Sequence, residues 1–138
     1  MRTILSLVLL VGLSSSAFAI GELKKDWVAI YLGEDASAEF KTAGRKAGCA
    51  VCHMKKGDKK KAEGRNEYGK MMSKFLASKK VKIGDLKKEY KDPATKETAQ
   101  KKIIHMFEEV CKQKAKDGKT FAERIKASML PATDFDNS

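Results

Sequence analysis

Cys49-Ala50-Val51-Cys52-His53 stands in the first half of a 138-residue chain. Two thiols two residues apart, with an imidazole directly after the second, admit three chemistries: a redox dithiol, half of a zinc site, or covalent haem attachment. A thioredoxin-like dithiol follows a strand of a βαβ unit, and no strand pattern precedes Cys49. A zinc site needs a second Cys/His pair at ligand spacing, which a chain with three cysteines and two histidines does not offer. Attachment of one haem c fits. Two intervening residues set the thiols at the separation of the two haem vinyl groups, and His53 directly after Cys52 can point its imidazole at the iron below the same ring edge.

The flanking sequence bears on where that chemistry takes place. Residues 1–19 carry Arg2, an apolar run over 4–13, a serine-rich stretch and Ala17-Phe18-Ala19. This is the pattern of a secretory signal peptide with a small-x-small cleavage site. The run is shorter than the roughly 20 residues that cross a bilayer, and no later stretch is apolar enough, so no membrane span is expected. Residues 20–138 are expected to form a single exported domain, in the periplasm or an equivalent extracytoplasmic lumen. Export also gives the charge its meaning. The net +11 falls to +10 once Arg2 leaves with the signal, and a basic chain prompts a nucleic-acid hypothesis. An exported chain leaves the compartment where nucleic acid is handled, and lysine supplies diffuse fields rather than bidentate forks. No nucleic-acid partner is expected; an acidic redox partner protein is. Lys55, Lys56, Lys59, Lys60 and Lys61 would orient it, although a merely solvated loop explains this run equally well.

Helical spacing dominates the rest, and no sustained alternation of apolar and polar residues marks a strand. The architecture is all-α. Leu23, Trp27, Ile30 and Tyr31 make one face of a helix over 22–32, ended by Gly33. Gly44 and Gly48 lead into the cysteines, where they would let the backbone approach a flat ligand. Tyr68, Met71, Met72, Phe75 and Leu76 share a face of a helix beginning near Arg65. A short helical segment starts at Asp85. Asp92-Pro93 reads as N-cap and first residue of a long helix running to about Lys116, with Gly118 as its stop. Thr120 and Glu123 form a capping box for a last helix carrying Phe121, Ile125 and Met129 and closed by Pro131, after which a polar tail follows.

His53 leaves the far side of the iron open. Cys49 and Cys52 are consumed by the haem, so Cys111 remains as a single thiol in an oxidising compartment. Ile103, Ile104, Phe107, Val110 and Cys111 fall on one face of the long helix, which carries the sulfur toward the core. Iron would hold it as thiolate. The competing ligands are Met54, Met71, Met72, Met106 and Met129, His105, or none. Methionine is the usual partner in electron-transfer cytochromes, but none of the five sits in a ligand loop before the last helix. His105 lies nearly opposite the apolar stripe and is expected at the surface. The plain role for Cys111 is a small buried hydrophobe or an intermolecular disulfide.

A helix, the attachment motif and further helices, with Asn66-Glu67-Tyr68-Gly69 opening the next one, resemble the small class I-like c-type cytochromes. The resemblance implies a cytochrome c-like helical domain wrapped round one covalent haem. Cys49, Cys52, His53 and the late helical Cys111 together resemble the His/Cys-ligated monohaem cytochromes of anaerobic ammonium-oxidising bacteria. That likeness implies a low-potential haem, a sister monohaem cytochrome in a heterodimer, and binding of nitric oxide or carbon monoxide. Two functions are in view: one-electron transfer, and gas binding in which Cys111 is displaced on reduction within a nitrogen-metabolism complex. Catalysis is not expected, because no acid, base and nucleophile set converges beyond the haem.

Overall fold

A computed structural model describes residues 21–54 and 64–134. The signal-peptide pattern at 1–19 and the lysine run at 55–61 lie outside the described residues. Within them the chain is helical: α1 (Gly21–Tyr31), α2 (Ala38–Ala47), a 3-10 turn (Gly48–Val51), α3 (Glu67–Ser78), α4 (Ile83–Lys91), α5 (Lys96–Cys111) and α6 (Phe121–Lys126). The only β pairing among the described residues is two isolated bridges, His53 with Arg65 and Lys114 with Thr120. The all-α reading stands.

α5 is the element round which the others pack, touching α4, α3, α1 and α6. Ala99, Ile103, Met106, Phe107, Val110 and Cys111 recur at helical spacing and are all buried. Each large one removes an apolar side chain from water, worth about 1.5–3 kcal/mol. Trp27 from α1, Tyr68, Met72 and Leu76 from α3, Leu86 from α4 and Phe121 from α6 complete the core. Two expected members are not in it. Ile104 is 40% and Ile30 41% exposed; Ile104 lies at the stripe's edge, and Ile30 lines an open groove with Tyr31, Phe40 and Ile125. Met106, placed beside the stripe by its spacing, is fully buried.

Helix α2 was not expected. Its N-cap is Ser37, whose hydroxyl accepts from the Phe40 amide, but Phe40 is its one large apolar anchor, so its periodicity is faint. Gly44 is covered by the Leu32 side chain, whose Cδ1 would stand 2.7 Å from an added Cβ. Gly48 turns α2 into the motif with φ +55°, a conformation glycine adopts freely.

Two ends of α5 differ from the sequence reading. Asp92-Pro93 makes a turn instead of the first helical residues: the Asp92 amide closes α4 on the Lys88 carbonyl, and its Oδ1 accepts from Ala94 N at 2.9 Å. At the other end α5 stops at Cys111, short of Lys116. The Lys116 amide is taken by Glu67 Oε2 at 2.8 Å, and Gly118, at φ +85°, turns a loop in which Ala115 N bonds Lys119 O at 2.8 Å. The capping box at Thr120 and Glu123 is present. α6 ends before Pro131, and the tail is bound: the Thr133 amide and hydroxyl both donate to Glu67 Oε1, and Asp134 accepts from the Glu67 amide.

Candidate functional site

The motif occupies the 3-10 turn that follows α2. The Cys49 carbonyl accepts from both Cys52 N at 3.2 Å and His53 N at 3.0 Å, curling the five residues so that Cys49 is exposed and Cys52 half-buried. Burial, and then the neighbouring Cys49, push the Cys52 thiol up to about 12.

Asn66 ties this turn to α3. Fully buried, its Nδ2 donates to the Ala50 and Val51 carbonyls, both at 2.9 Å, while its Oδ1 accepts from Gly69 N at 2.9 Å as the N-cap of α3. Donor and acceptor ends of the amide are both used, which fixes its orientation. Gly69 is where backbone approaches backbone: a Cβ there would lie 2.0 Å from the Cys52 carbonyl oxygen. His53 is fixed from the same side. Its Nδ1 lies 3.2 Å from the Gly64 carbonyl, which also accepts from Met54 N at 2.9 Å. Donation from Nδ1–H leaves Nε2 as the lone-pair nitrogen.

Cys111, the last residue of α5, is buried. Its Sγ meets Tyr31 Oη from α1 at 3.2 Å and Tyr68 Oη from α3 at 3.8 Å. Burial raises the thiol above its ordinary value, and the two phenols work against that rise. Burial first, then the charges of Cys111 and Cys52, raise the Tyr68 hydroxyl. Tyr31 is raised too, by burial and then by Cys111.

His105 is 57% exposed on its side chain, with Nδ1 3.9 Å from Glu108 Oε2 and its ring edge-on to Phe75; it stands at the surface as its spacing requires. Met54, Met72 and Met106 are buried, and Met71 and Met129 half-buried. No three His, Cys, Asp or Glu side chains converge on a metal position among the described residues. Asn66, Gly69, Tyr31 and Tyr68 were not foreseen in these roles. An Asn three residues before Gly69 at a helix start was a visible capping signal, whereas Tyr31 and Tyr68 read only as parts of apolar stripes. No known protein family, no curated protein and no solved structure matches this chain.

Proposed function

We propose that the chain is a monohaem c-type cytochrome that passes single electrons, in which Cys49 and Cys52 would attach haem c and His53 and Cys111 would hold its iron. The observation that carries the reading is the setting of His53. Its Nδ1 on the Gly64 carbonyl fixes the tautomer and orientation that metal-bound histidines take, and raises the basicity of Nε2. The donor set agrees with this use. Cys111 offers a buried sulfur, and Trp27 Nε1 is buried without a hydrogen-bond partner, a donor that a haem carboxylate would satisfy. Asp26 Oδ2 shares that condition and gains nothing from such a group.

Bound haem supplies a ferric/ferrous couple. The residues of this chain tune it. Asn66 and Gly69 press the motif turn against α3, which would keep Cys49, Cys52 and the His53 imidazole in place in either oxidation state. An anionic Cys111 sulfur favours the ferric state and lowers the potential. A second reading rests on the two phenols at that sulfur. They offer it partners off the iron, which eases displacement by nitric oxide or carbon monoxide, whether the chain acts alone or beside a sister cytochrome.

Expression with haem-maturation machinery tests the main reading. The purified protein should carry one haem by mass and lose it in Cys49→Ala/Cys52→Ala; a colourless product with the mass of bare chain would refute it. Carbon monoxide added to the reduced protein then separates the two readings. An unchanged Soret band fits a carrier, and a rapid shift fits gas binding.

A further inference from the structure

We propose that Tyr31 and Tyr68 are positioning residues for the Cys111 sulfur, donating hydrogen bonds that restrain its electron donation to the iron. The proposal rests on the His53/Cys111 ligation above. Three elements far apart in sequence bring these atoms together: α1 supplies Tyr31, α3 supplies Tyr68 and α5 supplies Cys111. The hydroxyls lie 3.2 and 3.8 Å from Sγ, inside the longer range of hydrogen bonds to sulfur.

Both rings are held where they are by other aromatic groups. Tyr31 lies with its ring centroid 5.4 Å from Trp27 and 6.2 Å from Phe107, and Tyr68, fully buried, meets Phe121 edge-on at 5.1 Å. The hydroxyls are therefore aimed before any ligand binds. Tyr31 is only half-buried, yet its hydroxyl turns to the sulfur. A plain core cysteine needs no such pair, since a thiol packs as a small hydrophobe. A sulfur that carries negative charge does need it, because charge-assisted donors are the strong ones. Hydrogen bonds to a metal-bound sulfur draw electron density from the metal and raise the potential.

The test uses the haem-loaded protein as wild type, Tyr31→Phe, Tyr68→Phe, the double variant and Cys111→Ala. Phenylalanine keeps each ring and removes only the donor. The midpoint potential should move negative in each tyrosine variant, further for Tyr31→Phe because its contact is shorter, and furthest in the double variant. The iron–sulfur stretch in the resonance Raman spectrum should shift in heavy water for wild type and not for the double variant. If Cys111→Ala abolishes the ferric thiolate signature while the tyrosine variants keep the wild-type potential and no isotope shift appears, the proposal fails and the ligation stands. If Cys111→Ala leaves that signature unchanged, the ligation fails and takes the proposal with it. Should Tyr68→Phe not fold, Tyr31→Phe and the isotope shift in wild type decide.

Discussion

At the scale of single residues, Gly69 carries the most stringent constraint. A Cβ at this position would lie 2.0 Å from the Cys52 carbonyl oxygen and 3.0 Å from its carbon, and neither backbone atom can rotate away as a side-chain tip could. Gly69→Ala should therefore push the motif turn off α3 and destabilise the fold by about 3 kcal/mol, the upper part of the overpacking range. Gly84→Ala is the control. It lies in α4 with nothing within 4 Å of an added Cβ, so alanine's better helix propensity should leave stability unchanged or raise it by up to about 1 kcal/mol. Urea unfolding of both variants measures the contrast, and equal midpoints would contradict it. Legibility at this scale followed locality. Cys49, Cys52 and His53 announce themselves by spacing, and Cys111 by its place on an apolar stripe. Tyr31 and Tyr68 occupy equally plain stripes, but their bonds to Cys111 span 80 and 43 residues, and no local pattern records such a partner.

The same division separates the elements. The capping box of α6 is read directly because Thr120 and Glu123 satisfy one another within a turn. The end of α5 is not, because the group that claims the Lys116 amide is Glu67, 49 positions away. That carboxylate, with Asp134, clamps the loop after α5 and the tail to the start of α3, and the clamp has a pH signature. Partial burial raises the Asp134 carboxyl, but the Glu67 amide, the Lys116 hydrogen bond and the Lys116 and Lys70 charges outweigh it and hold it below 3.8. A carboxyl lowered by folding stabilises the native state above its unfolded pKa, and that contribution is lost as pH falls through the folded one. Lys116 is raised above 10.5 by its Asp134 partner; its contribution holds below that value and is lost as pH climbs through the folded pKa. The bridge is thus complete across the neutral range. Asp134→Asn should unfold at lower urea at pH 7, and the difference from wild type should shrink as pH is taken below about 4. A difference that stays constant down to pH 2 would remove Asp134 from the acid limb.

Across the whole molecule the charge is lopsided, with 29 Lys and Arg against 18 Asp and Glu. In α3, α4 and the turn between them, Lys70, Lys74, Lys79, Lys80, Lys82 and Lys87 are exposed or partly so. Among the described residues the ion pair of Lys101 with Glu97 on α5 joins two exposed side chains, and that of Lys102 with Glu89 two partly exposed ones. Such pairs contribute little to stability, so the excess positive charge acts outward. If the chain is the one-electron carrier proposed, that field should gather an acidic partner before contact. Steering of this kind raises association rates by roughly 10–1000-fold, and it fades once the screening length, about 30 Å at 0.01 M salt, contracts to about 3 Å at 1 M. The second-order rate of electron exchange with a small acidic redox protein should accordingly fall at least about tenfold between those salt concentrations. Exchange with an uncharged reagent should change little, which separates steering from any effect of salt on the haem site itself. A rate to the acidic partner that is flat in salt would mean that the lysines keep the protein in solution and do not guide its encounters.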